Sequence, residues 1–197
     1  MKLWIKLEDI DYGDAAVKLL PLLTDAPGPL GSQIAPLAGL SEAEIRSALA
    51  RIPEEEKGQM LAGLATQCKD ILLSTVNRKL SSRKVGVTLT DLAVEPDLTV
   101  MARLGQLDYP YLVNRFLPAI RKKLLNMGGP AVLLRPVIEK ASAEQICGLL
   151  DRLAGNNKDA FLVSLINQNG GKLISALEKT AKKEQLTIRI QSVRAEA

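Results

Sequence analysis

Leu7–Leu23, LEDIDYGDAAVKLLPLL, and Leu104–Ile120, LGQLDYPYLVNRFLPAI, lie 97 positions apart and align without a gap. Asp-Tyr recurs at 11 and 108, and Leu20-Pro21 recurs as Leu117-Pro118. Farther along, an offset of 101 pairs Ser41-Glu42-Ala43-Glu44-Ile45 with Ser142-Ala143-Glu144-Gln145-Ile146, so four residues are inserted in between. The second offset continues to the end of each half: Leu72, Leu73 and Ser74 fall on Leu173, Ile174 and Ser175, and Val85, Val87 and Leu89 on Leu186, Ile188 and Ile190. Chance yields one matched stretch far more easily than two in order that share identities and apolar phase. The expected organisation is a tandem duplication, residues 1–96 followed by residues 97–197.

Within each half the first segment alternates. Leu3, Ile5 and Leu7 point one way and Lys2, Trp4 and Lys6 the other, and Val100, Ala102 and Leu104 repeat the phase, the period of a half-buried strand. The last segment, Val85-Val87-Leu89 or Leu186-Ile188-Ile190, alternates too. Between them the spacing is helical, beginning with Asp14–Leu23 and its partner Tyr111–Leu125, which Pro21 and Pro118 should kink or end. A Pro/Gly-rich turn at Asp25–Gly31, matched by Gly128-Gly129-Pro130, leads to a short apolar helix at about 32–39 or 131–140. Ser41 with Glu44, and Ser142 with Gln145, have capping-box spacing and start further helices. Pro53 followed by Glu54-Glu55-Glu56 opens another, and final helices run over 68–81 and 171–183.

The fold expected is helix-rich α+β: two strand–helices–strand modules whose strands form one shared antiparallel or mixed sheet covered by helices. Two isolated strand pairs are marginal in water, so helices must cover the apolar face. The short link Val94–Leu98 favours close association of the halves over two separate small domains.

Composition sets the other bounds. With 47% hydrophobic and 24% charged residues the chain can bury a core, and with six aromatic residues that core is Leu, Ile, Val and Ala. No stretch reaches the ~20 apolar residues of a membrane span, and the charged start reads as no signal peptide, so the expectation is a cytoplasmic protein. Residues 1–96 carry 11 basic and 13 acidic residues and residues 97–197 carry 15 and 9, an asymmetry that suits an acidic partner on the second half or simple drift.

Histidine is absent, which removes the commonest general base and most transition-metal sites. Asp11 and Asp108 sit where strands pass into helices and read as helix-start carboxylates before catalytic ones. Tyr12 and Tyr109 beside them read as packed rings with local hydroxyl bonds. Asn169-Gly170-Gly171-Lys172 lacks the first glycine of a phosphate loop, and Leu173 stands where a Ser or Thr would hold magnesium, so no nucleotide site is expected. Cys68 and Cys147 have no histidine partner and no metal-ligand spacing. The run Arg121-Lys122-Lys123 reads as a solvated basic helix end.

These readings lead to a non-enzymatic protein-interaction or scaffold protein with no cofactor and no metal. Its expected contact surface is the polar strand face of Lys2, Trp4, Lys6, Thr88, Met101, Arg103 and Arg189, because Trp, Met and Arg are enriched in interface cores. Its partner would be another protein or a second copy. The alternative is a small-molecule or lipid-binding protein with an apolar pocket between Leu-rich helices. A weak nucleic-acid binder ranks third, since Trp4 is alone as a stacking residue on that face.

Overall fold

The computed structural model describes residues 1–24, 39–126, 135–154 and 158–197. The Pro/Gly-rich turns at 25–31 and 128–130, and the short apolar helix expected over 32–39, lie outside the described residues apart from Gly39. In chain order the elements are β1 (Lys2–Glu8), α1 (Tyr12–Thr24), α2 (Glu42–Ala50), α3 (Glu54–Gln67), α4 (Lys69–Ser82), β2 (Val87–Val94), β3 (Thr99–Leu107), α5 (Tyr109–Asn126), α6 (Arg135–Lys140), α7 (Ala143–Ala154), α8 (Lys158–Gln168), α9 (Gly170–Lys183) and β4 (Arg189–Glu196). The protein is helix-rich α+β with one four-stranded antiparallel sheet. Among the described residues no helix is long and apolar enough to cross a membrane.

Strand order is β2-β3-β1-β4, so the first strand of each half is central and pairs with the last strand of the other half. The Val94–Leu98 link is the turn between adjacent strands, closed by Glu95 N–H to Thr99 C=O at 2.9 Å and Leu98 N–H to Glu95 C=O at 2.9 Å. The offsets 97 and 101 recur in the pairing. β2 pairs with β3 through Leu89↔Leu104, Asp91↔Arg103, Leu92↔Ala102, Ala93↔Met101 and Val94↔Val100. Adding 101 to the β2 member and subtracting 97 from the β3 member gives Ile190↔Leu7, Ser192↔Lys6, Val193↔Ile5, Arg194↔Trp4 and Ala195↔Leu3, each a pair of the β4-β1 ladder. The irregularity that skips Thr90 in β2 falls on the one that skips Gln191 in β4. In the central β1-β3 ladder, Trp4↔Met101 is the pair that the offset of 97 maps onto itself.

Burial follows the apolar phase. In β4, Ile190, Val193 and Ala195 are buried while Arg189, Ser192, Arg194 and Glu196 are exposed. Helix side chains bond one residue of edge strand β2 and two of edge strand β4, covering part of the N–H and C=O row that invites edge pairing. Asn77 of α4 donates to Leu89 C=O (2.9 Å) and accepts from Leu89 N–H (2.7 Å), and Asn167 of α8 grips Ala195 in the same way (3.0 and 2.7 Å). Glu178 of α9 accepts from Ile190 N–H at 2.9 Å. The ends of α4 and α9 meet where Lys79 and Arg83 pair with Glu184.

Helix boundaries follow local chemistry. Ser41–Glu44 forms a complete capping box, and Ser142 and Gln145 make the same reciprocal bonds at 2.8 and 3.2 Å. Pro21 and Pro118 lie inside α1 and α5 and end neither, but α5 is non-helical at Phe116 (φ −108°, ψ 16°), two residues before Pro118. The expected closing strand segments begin too early. Val85 and Leu186 donate back to Leu80 and Ala181 of the preceding helices, after Lys84 and Gln185 at positive φ, a Schellman-type helix end. The strands therefore start at Val87 and Arg189 and run to Val94 and Glu196. The main core joins Val113, Ile120 and Leu124 of α5, Ile138 of α6, Ile146 and Leu150 of α7, and Phe161, Leu162 and Leu165 of α8. A smaller cluster in the first half surrounds Cys68 with Leu19, Leu20, Leu64 and Leu72.

Candidate functional site

The polar sheet face is the first candidate. Lys2↔Arg103, Trp4↔Met101 and Lys6↔Thr99 are cross-strand pairs, so five of the residues singled out from the sequence, Lys2, Trp4, Lys6, Met101 and Arg103, share one patch. Arg103 is exposed, and Trp4 and Met101 are half-buried. Thr88 and Arg189 lie toward opposite ends. Thr88 Oγ1 accepts from Gln106 N–H at 3.0 Å, and Arg189 approaches Asp9 at 3.5 Å and Glu8 at 3.9 Å. Lys6 is held by Asp97 of the β2–β3 turn at 2.8 Å. Arg194 completes the patch: it opposes Trp4 from β4, with its guanidinium carbon 5.5 Å from the ring centroid. Trp4 Nε1 is shielded from solvent and has no hydrogen-bond partner among the described residues.

The second candidate is a pair of clefts at the repeated Asp-Tyr corners. Asp11 and Asp108 both act at helix starts, accepting from Asp14 N–H (2.9 Å) and Tyr111 N–H (3.0 Å). Their own N–H groups donate to Thr187 C=O (3.0 Å) and Gly86 C=O (2.8 Å), so each corner is fixed by chain from the opposite half. A lysine lies over each tyrosine ring: Lys57 over Tyr12 at 5.6 Å and Lys158 over Tyr109 at 5.5 Å. The Tyr109 hydroxyl donates to Asp159, and burial first, then that carboxylate, pushes its pKa up to about 12. Tyr12 is raised by burial and then by Glu54.

At the first corner a cleft of about 240 Å³ is bordered by Asp11, Tyr12, Gly13, Arg46, Glu54 and Lys57. Arg46 reaches in from α2. Its Nη1 is 3.0 and 3.2 Å from the two Asp11 carboxylate oxygens, its Nη2 is 2.6 Å from Asp14, and its Nε is 2.9 Å from Glu42. Asp14 is held below the usual carboxylate range by the Thr187 hydroxyl first and Arg46 second. Gly13 is what lets the guanidinium pass, since a Cβ there would stand 2.6 Å from Arg46 Nη1.

At the second corner the cleft is about 290 Å³ and has an apolar floor of Leu107, Leu112, Val113, Ile120, Leu150, Phe161 and Leu162. Asp108, Tyr109, Asp151 and Lys158 form its rim, and Asp151 and Lys158 are ion-paired. The offset of 101 puts Cys147 where Arg46 stands, and the offset of 97 puts Pro110 where Gly13 stands. Cys147 lines this cleft, its thiol pKa raised by burial and then by Asp151. Asp108 has no ion-pair partner among the described residues.

Three other expectations meet the structure here. Asn169-Gly170-Gly171-Lys172 forms the start of α9. Arg121-Lys122-Lys123 is not a wholly solvated helix end, because α5 continues to Asn126. Arg121 donates to Ala141 C=O, and Lys123 bonds Ser164 and Gln168 and lies 5.9 Å from the Phe161 ring centroid. Among the described residues no cluster of three metal-ligating side chains forms. Comparison with family models, with curated proteins and with solved structures finds no match to this chain.

Proposed function

We propose that this chain is a non-enzymatic protein-interaction or scaffold protein, a tandem duplication of one module (residues 1–96 and 97–197), acting in the cytoplasm through the sheet face around Trp4 and Met101. The observation that carries this reading is the composition of that patch: half-buried Trp4 and Met101 adjoin exposed Arg103 and Arg194, the residue types that dominate interface hot spots. Trp4 Nε1 has no hydrogen-bond partner among the described residues, and Arg194 lies 5.5 Å from the ring centroid. The duplication is supported by the two offsets, which carry one edge ladder onto the other, bulge included. The non-enzymatic part rests on the lack of histidine and on Cys68 and Cys147, whose thiols burial pushes up, away from the reactive thiolate.

The test is native mass spectrometry with sedimentation velocity on wild type and Trp4→Ala. A dimer or retained protein partner that Trp4→Ala weakens, with the fold intact, supports the reading. A wild-type monomer without bound protein at every concentration refutes it, and marked unfolding of Trp4→Ala assigns the indole to the core instead. A second reading, a small-molecule or lipid-binding protein, is favoured by the apolar floor of the cleft at Asp108, and a monomer carrying a small adduct would favour it over the first.

A further inference from the structure

We propose that the cleft at Asp108 binds a small amphipathic cation, an amine or guanidinium with a short apolar tail, whose charge rests on the Asp108 carboxylate. The inference builds on the small-molecule reading of this cleft and names its ligand class. The guide is the other corner of the same molecule. There the space between the Asp-Tyr turn and the following helix is taken by the Arg46 guanidinium, bound through one nitrogen to both oxygens of Asp11. At the Asp108 corner the backbone frame is the same: the carboxylate accepts from the N–H three residues on, and the aspartate N–H donates to a strand-entry carbonyl of the opposite half. The cationic side chain is missing, because Cys147 occupies its position. Pro110 replaces Gly13, the residue that leaves room for an arginine within the chain.

The charge balance calls for a cation. Lys158 is the cationic residue among those lining the cleft, and it is bound to Asp151 and lies over Tyr109. Asp108 is exposed and caps α5 through Tyr111 N–H, and no cationic side chain pairs with it among the described residues. At the Cys147 thiol, after burial, Asp151, Asp108 and Glu144 all act to raise the pKa and only Lys158 opposes them. The floor calls for a tail, since Val113, Ile120, Leu150, Phe161 and Leu162 give the inner wall no charge to pair. A volume of about 290 Å³ lies at the lower end of the roughly 300–1,000 Å³ of small-ligand clefts, which suits a cation with a short chain.

Isothermal titration calorimetry of the full chain with hexylguanidinium, hexanol and hexanoate tests this. Hexylguanidinium should bind about tenfold more tightly than hexanol, with hexanoate weakest, since a charge-assisted hydrogen bond is worth about that factor. Asp108→Asn, which keeps an N-cap acceptor for Tyr111, should bring hexylguanidinium to within about twofold of hexanol. Cys147→Arg should remove binding by placing a guanidinium in the cleft, with circular dichroism confirming the fold. Equal binding of hexanol and hexylguanidinium, or tighter binding of hexanoate, would overturn the cation assignment while leaving the cleft a small-molecule site. Binding of none of the three would overturn both.

Discussion

Asn77→Ala removes a side chain that closes two hydrogen bonds with one residue of an edge strand. Its Nδ2 lies 2.9 Å from Leu89 C=O and its Oδ1 2.7 Å from Leu89 N–H, and Leu89 adjoins the irregularity in β2. Each bond contributes a net of about 0.5–1.5 kcal/mol, so together they are worth about 1–3 kcal/mol. Alanine returns about 0.5 kcal/mol through helix propensity at this mid-helix position, which leaves a net loss of about 0.5–2.5 kcal/mol. Asn77→Asp separates the two bonds, because the carboxylate still accepts from Leu89 N–H but cannot donate to its C=O. It should fall between wild type and alanine. Urea unfolding monitored by circular dichroism reads the change as a lower midpoint at constant slope, and size-exclusion chromatography reports whether the uncovered edge recruits a second chain. If Asn77→Ala unfolds within about 0.3 kcal/mol of wild type and stays monodisperse, α4 does not cap the edge and the argument for edge protection fails.

Two further outcomes follow from burial and titration. Ile146 of α7 is 0% exposed, so Ile146→Ala should cost about 2–5 kcal/mol in the same unfolding assay, whereas Met60→Ala, at a site 47% exposed, should stay within about 0.5 kcal/mol. Tyr109, pushed up to about 12 by burial and the Asp159 carboxylate, keeps its proton longer in the folded state than in the unfolded chain. Its contribution is fully present below the ordinary tyrosine pKa of about 10 and is lost as pH rises from there through about 12. Ultraviolet titration should find a late-ionising tyrosine that moves earlier in Asp159→Asn, and an unchanged titration curve would contradict the hydroxyl bond.

Helix starts were legible because they depend on few residues close in sequence: Ser41 with Glu44, Ser142 with Gln145, and the aspartates at 11 and 108 all cap as their types and spacing require. Strand ends were not, for two physical reasons. Val85 and Leu186 continue the apolar alternation but belong to helix termini, where an apolar residue after a left-handed turn packs back on the helix. Beyond them, Leu89 to Leu92 and Ile190 to Val193 are spaced by three, because Thr90 and Gln191 are bulged out of the ladders. A period of two therefore breaks where the strands continue, and Arg194, the residue beside Trp4, stayed out of view. The patch itself was legible because Lys2, Trp4 and Lys6 alternate without interruption, and so do Met101 and Arg103. Thr88 and Arg189 lie toward opposite ends of the sheet, outside the patch.

The clefts were hidden for a different reason. Asp11 and Asp108 are identical in sequence and in local role, and what separates them lies thirty-odd residues away at Arg46 and Cys147. Each of these residues has a plain explanation alone, the arginine as a surface charge and the cysteine as a small buried group. Only when α2 and α7 are packed against their corners does the exchange acquire a consequence: one carboxylate is paired with an arginine and the other has no ion-pair partner among the described residues. Gly13 against Pro110 is the companion exchange, since a Cβ at 13 would collide with the arginine, whereas at 110 no arginine has to pass. Cys147→Arg alone places a guanidinium against Pro110, so it should fill the cleft with imperfect geometry. Adding Pro110→Gly should reproduce the contact of one guanidinium nitrogen with both carboxylate oxygens seen at Asp11, making the double substitution more stable than the sum of the two single changes. Strict additivity would mean that Pro110 does not obstruct an arginine at position 147.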